Sequence, residues 1–126
     1  MSARFRLRLE QERYTAGDTV SGSVDVLEGG RCRSLEVSLD YNEETEDFLD
    51  LGRRAASQRL HEGEVATGAS FPFALTIPAD ALPNYRSANG ELYWEVYFTS
   101  DQPGRDAEER RRIEVEPAHR STTTSG

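Results

Sequence analysis

The stretch from Ala69 to Phe98 constrains what this chain can fold into more than any other. Ala69, Phe71, Phe73, Leu75 and Ile77 alternate with Ser70, Pro72, Ala74 and Thr76, the period of two that a half-buried strand imposes on its side chains. The odd positions are expected to face a core. Leu92, Trp94, Val96 and Phe98 alternate in the same way with Tyr93, Glu95, Tyr97 and Thr99, giving a second strand with a heavy apolar face and an amphipathic outer one. Pro78 and Pro83 lie between them; with no N–H to donate to a ladder, they place the connection outside the sheet.

The same period runs through most of the chain. Phe5, Leu7 and Leu9 alternate with Arg4, Arg6 and Arg8, so a first strand carries an arginine stripe on its outer face. Tyr14 to Asp18 reads as a turn in which Gly17 takes a positive φ and Asp18 closes a local hydrogen bond. A strand from about Thr19 to Leu27 follows, and Gly22 on its inward face implies a bulky neighbour or a bulge. After a turn at Glu28-Gly29-Gly30, the residues Leu35, Val37, Leu39 and Tyr41 define a third strand.

Acidic residues dominate 43–52, which reads as a solvated loop or a frayed strand end. Residues 54–66 hold only Leu60 and Val65 as large aliphatics and read as one edge strand. Gln102-Pro103-Gly104 is a turn, and Ile113 and Val115 anchor a last strand beginning after Arg105. In that strand Arg111 shares the parity of Ile113, which implies a bulge or a rim position.

No segment has helical period. About seven strands at this spacing predict an all-β protein, an antiparallel β-sandwich of immunoglobulin-like topology with no substantial helix. Trp94 has no cysteine pair beside it, which argues against a true antibody-type domain. Residues 1–117 are expected to form one domain and 118–126 a disordered tail.

A chain of 126 residues buries roughly two-thirds of its unfolded surface, so a core without staples suffices. Cys32 is the single cysteine, which rules out an internal disulfide; a buried, inert thiol is the expected role. A formal charge of −8 argues against nucleic acid as a partner, since phosphate neutralisation needs a basic footprint. All fifteen Lys or Arg residues are arginine, read either as a bias toward GC-rich codons, the plainer account, or as a preference for planar, bidentate ion pairing. The opening residues lack an apolar core of the leader type, and no long apolar run occurs, so neither membrane insertion nor export is expected and the chain reads as cytoplasmic.

Tyr14-x-x-Gly17-Asp18-x-Val20-x-Gly22-x-Val24, then Ser70-Phe71-Pro72-Phe73-x-Leu75-x-Ile77-Pro78, then Leu82-Pro83-Asn84-Tyr85 and Gly90-x-Leu92-Tyr93-Trp94 form an ordered set. Together they resemble the amino-terminal domain of the arrestin-like proteins, including the bacterial sporulation-control relatives. The resemblance implies a non-catalytic adaptor or scaffold that binds other proteins, an inference by analogy because the shared residues have architectural roles. Members of that family usually carry two sandwiches where this chain has room for one. The face a second would cover is then polar, occupied by another copy in a homodimer, or open to a partner.

Several groups are candidates for recognition. Arg4, Arg6 and Arg8, about 7 Å apart on one face, suit bidentate binding of carboxylates or phosphates; alternatively Glu114 and Glu116 of the last strand neutralise them. Tyr93 and Tyr97, with Tyr85, form either an outward aromatic patch or the rim of the sandwich. The acidic stretch from Glu43 to Asp50 offers oxygens for calcium but lacks the spacing of a calcium loop, so a small-ligand or calcium-dependent module using the loops is the alternative function. No serine elbow, phosphate loop, HExxH or CxxC occurs, and neither an enzyme nor a cofactor is expected. Strand addition at an exposed sheet edge is the expected mode of binding.

Overall fold

The computed structural model describes residues 3–45, 48–104 and 106–117, with the backbone alone for 48–52. Among them there is no helix, and nine strands run in chain order: β1 (Arg4–Leu9), β2 (Arg13–Thr15), β3 (Thr19–Glu28), β4 (Ser34–Thr45), β5 (Phe48–His61), β6 (Ser70–Thr76), β7 (Tyr85–Ser87), β8 (Gly90–Asp101) and β9 (Ala107–Glu116). The expected tail, 118–126, lies outside the described residues.

These strands form two layers. One is a three-stranded sheet in the order β1-β3-β6; the other follows β2-β9-β8-β4-β5, with β7 added to the end of β8. All pairings are antiparallel except β2 with β9. Two of the strands are only three residues long, too short for alternation to register, which is why about seven were expected. Tyr14 and Thr15, expected to open a turn, belong to one of them. The turn itself forms as anticipated: Gly17 has φ 93°, and the Asp18 carboxylate accepts from the Thr15 amide at 2.8 Å.

Apolar faces of both layers meet between them. Leu7, Val20 and Val24 from the small sheet face Leu35, Val37, Leu39, Val96, Phe98, Ile113 and Val115 from the large one, all nearly inaccessible. Each such side chain contributes about 1.5–3 kcal/mol by leaving water. Phe73, Leu75 and Ile77 join them, as the alternation of β6 requires, while Phe71 sits half-buried at the corner, stacked on His61 at 4.9 Å. Trp94 packs edge-on against Tyr41 at 5.2 Å and donates its indole N–H to the Leu82 carbonyl at 2.7 Å. The bulky neighbour implied by Gly22 is real, for a Cβ there would strike the Arg8 carbonyl and come within 2.9 Å of the Phe73 ring.

Two expectations take definite form. Of the two readings of the acidic segment, loop or strand end, the described residues form strand ends: β4 runs to Thr45 and β5 begins at Phe48, paired through Glu43 with Asp50 and Glu44 with Leu49. The edge strand expected within 54–66 is β5, and it ends at His61; beyond it Val65 makes only an isolated bridge to Gly30. Ladder bonds to β4 hold a polar sequence extended here, so hydrophobic alternation is not needed. The outer face of β4 is buried as well. Ser38, Asp40 and Asn42 are at most 3% exposed, because β4 lies between β8 and β5 and longer side chains on both flanks cover its short ones.

Candidate protein-binding surfaces

Arg4, Arg6 and Arg8 are all exposed on the outer face of β1, yet they are not equivalent. Arg8 is held by Asp25 of β3, with Nε 2.6 Å from Oδ2, and bonds Ser23 at 3.1 Å. Arg4 and Arg6 have no ion pair among the described residues. Burial raises the Asp25 carboxyl, but hydrogen bonds from Ser70 and Arg8, the Arg8 charge and Ser23 outweigh it and hold the group below the usual carboxylate range. The neutralising partner thus comes from β3, the strand that β1 pairs with. Glu114 lies in the other sheet and pairs with Arg13 at 3.4 Å, so Glu114 and Glu116 do not serve the stripe.

Tyr93 and Tyr97 share the outer face of β8, but arginines of β9 close over them. The Arg112 guanidinium lies 3.7 Å from the centre of the Tyr93 ring, and that of Arg110 lies 4.1 Å from Tyr97. Each arginine is anchored by a carboxylate of β8, Arg112 on Glu91 at 2.9 Å and Arg110 on Glu95 at 2.8 Å. The Tyr97 hydroxyl donates to Glu108 at 2.9 Å; burial first, then this bond and the Glu108 charge, raises its pKa. Tyr85 alone stands out in solvent, 64% exposed, with Leu82 nearby in sequence at 57%.

Arg111 takes the rim position, with no bulge, since the β8–β9 register is unbroken. It donates to the Leu7 carbonyl at 2.9 Å, while Glu109 accepts from the Leu7 amide at 3.0 Å, and the two side chains pair at 3.1 Å. Side chains of β9 therefore satisfy the outward backbone groups of Leu7, at the middle of β1, as a neighbouring strand would. The other short edges are sealed likewise. On β2, Gln11 donates to the Arg13 carbonyl at 2.9 Å and Asp18 takes the Thr15 amide. On β6, the Ala74 amide donates to Gln58 at 3.1 Å.

The long edge is different. Along Arg54–Ser57 of β5, no described side chain bonds the backbone groups that face away from β4; from Gln58 to His61 the strand lies beside β6, Gln58 on the Ala74 amide and His61 on the Phe71 ring. Three register shifts against β4 and three arginines, Arg53, Arg54 and Arg59, mark this strand, the means by which natural edges resist indiscriminate pairing.

A groove of about 650 Å³ opens where β7 and the end of β9 diverge. Its acids Glu12, Glu91 and Glu114 are interleaved with Arg13, Arg86 and Arg112, so negative charge does not converge there. Among the described residues no group of three His, Cys, Asp or Glu side chains is placed to hold a metal ion. The side chains of Glu46, Asp47 and Asp50, part of the calcium candidate, lie outside the description. The Cys32 thiol is buried and donates to the Gly63 carbonyl at 2.8 Å; burial raises its pKa, which disfavours the reactive thiolate.

The two-layer arrangement of these strands defines an arrestin-like β-sandwich, a class of fold whose members are generally non-catalytic. No family model matches the sequence, and no curated protein matches it. Among solved structures, the chain is similar to the sporulation control protein Spo0M from Bacillus subtilis, with a TM-score of 0.71 and 26% identity over 94% of this chain. The chain spans about half, 51%, of the length of that protein. Among the described residues no helix is long and apolar enough to cross a membrane.

Proposed function

We propose that this domain is a non-catalytic protein-binding adaptor that receives an extended segment of its partner along the outer edge of β5. The observation that carries this reading is the contrast between edges: side chains bond outward backbone groups of β1, β2 and β6, while among the described residues the Arg54–Ser57 part of β5, short of where β6 lies alongside, has no such bond. A bare edge supplies main-chain donors and acceptors for affinity, and alternate side chains supply selectivity. The similarity to Spo0M supports a regulatory rather than a catalytic role. Arg4 and Arg6 are the residues of the stripe left for partner contact; Arg8 is committed to Asp25, and Tyr93 and Tyr97 act through the arginines stacked on them.

The test is affinity capture from the source cell followed by amide hydrogen exchange of the complex. Slowed exchange confined to residues 53–57 is the expected result. Protection confined to the outer face of β1 and β3, or to the loops, would refute the assignment of the edge.

A further inference from the structure

Three asparagines occur in the chain, and the fold treats them differently. Asn42 is fully buried within β4. Asn84 is held at both ends of its carboxamide, donating to the Ile113 carbonyl at 2.9 Å and accepting from the Val115 amide at 3.0 Å. Asn89 lies in the two-residue turn between β7 and β8, where residues 85–89 are exposed throughout. Its backbone amide donates to Ser87 Oγ at 3.2 Å, while its carboxamide has no hydrogen bond among the described residues.

Asn89 is also the one asparagine followed by glycine, and no aspartate in the chain precedes a glycine. Packing fixes that glycine. A Cβ at Gly90 would stand 2.5 Å from the Glu44 carbonyl and 3.0 Å from Thr45 Cγ2, so the turn accepts no larger residue against the end of β4. The same missing side chain leaves the Gly90 nitrogen open to approach by the Asn89 carboxamide. Gly90 stands in the ladder opposite both Ser87 and Thr45, but β7 holds only three pairs to β8. Fraying of so short a hairpin frees the nitrogen.

We propose that Asn89-Gly90 is a site of spontaneous covalent modification, where the turn converts itself to aspartyl and isoaspartyl forms with water as the only other reactant. The Gly90 nitrogen bonds to Asn89 Cγ; the Cγ–Nδ2 bond breaks, and Nδ2 leaves as ammonia with the proton that the Gly90 nitrogen gives up. Water then opens the cyclic imide. Cleavage at Cγ leaves an aspartate. Cleavage at the backbone carbonyl of residue 89 leaves an isoaspartate, whose main chain runs through Cβ and Cγ and is one atom longer. Either product puts a new carboxylate in the hollow of about 170 Å³ that Glu43, Glu44 and Glu91 also line. Like charges crowd there, and the added main-chain atom spoils a two-residue turn; both effects loosen β7.

The test incubates the intact protein at physiological temperature over a series of pH values and maps its peptides by mass spectrometry. Methyl transfer by an isoaspartate-specific carboxyl methyltransferase is the second readout. Asn89 is expected to lose its amide at a rate proportional to hydroxide, because the deprotonated Gly90 nitrogen is the nucleophile, while Asn42 and Asn84 keep theirs. Methyl acceptance should rise in step and be absent from Asn89→Gln, whose longer side chain closes a ring poorly. An Asn89 that stays intact while a free peptide of residues 85–94 is converted would overturn the proposal. So would conversion of Asn42 or Asn84 at the same rate.

Asn89→Asp mimics one product without lengthening the chain. It should speed amide exchange of Tyr85–Ser87 by about two- to fivefold, the scale of an exposed charge interaction, and the isoaspartyl form should speed it further. Unchanged exchange in both would refute the loosening of β7.

Discussion

Replacing Gly22 by alanine tests the closest approach in the small sheet. Gly22 lies in β3 between Leu9 of β1 and Phe73 of β6, and it is not among the glycines with positive φ, which are Gly17, Gly63, Gly68 and Gly104. Backbone strain is therefore not the obstacle, and on conformational entropy alone the change would stabilise by about 0.4–1 kcal/mol. Space is what fails. The added methyl falls on the Arg8 carbonyl, which belongs to the backbone of β1, and within 2.9 Å of the Phe73 ring. Overpacking of this kind costs about 1–3 kcal/mol; because the carbonyl cannot rotate aside, the upper part of that range applies.

The net expectation is a loss of about 2 kcal/mol, or roughly 8 °C in Tm for a chain of this length. Urea unfolding followed by the single tryptophan, Trp94, reads it as a lower midpoint at unchanged slope. The double variant Gly22→Ala with Phe73→Leu relieves the ring contact but not the carbonyl, so it should not recover the wild-type midpoint. A Gly22→Ala protein as stable as the parent would refute the close approach of β1 to β3.

Glu109→Ala should cost about 1–3 kcal/mol, because it leaves the Leu7 amide without its acceptor, with faster exchange of that amide as the specific readout. Asp25 sets a pH dependence with a definite sign. Its folded pKa is depressed, so its contribution is full above the ordinary Asp value near 4, declines as pH falls below that value, and is gone once the folded pKa is passed. Asp25→Asn should flatten the acid limb of a stability–pH curve, and an unchanged limb would contradict the Arg8–Asp25–Ser70 cluster. Cys32 should react with a thiol reagent only as fast as the region around Gly63 opens, so mild denaturant should accelerate labelling sharply; rapid labelling in native buffer would contradict its burial.

Alternation exposed β1, β3, β4, β6, β8 and β9 because each has an apolar inner face, and that face must follow the pleat. It said nothing of β2 and β7, where three residues complete barely one alternation. It also misjudged β5, whose extended form comes from its ladder with β4 rather than from burial of its own side chains. Among the candidate site residues, the arginine stripe was legible as a stripe, but its division into a committed Arg8 and an Arg4 and Arg6 without an ion pair among the described residues was not. That division depends on β1 being paired with β3 instead of β9, a matter of topology. That Arg54 and Arg59 share a face, opposite Asp40 and Glu36, was hidden for a different reason: a bulge resets parity, and no local signal in Arg-Arg-Ala-Ala-Ser marks where the extra residue falls.

By itself the amino-acid order determined that the chain is all-β and two-layered, that Phe73, Trp94 and Phe98 lie between the layers, and that Gly17 and Gly22 occupy positions where a side chain costs stability. These are consequences of local period and local sterics, which a strand carries wherever it packs. Tertiary structure alone decided which edges are sealed, which arginines are spent on internal carboxylates and which face outward together. Those outcomes depend on groups distant in the chain meeting at one edge, as Leu7 meets Glu109 and Arg111, and the period of a strand carries no information about the neighbour beside it.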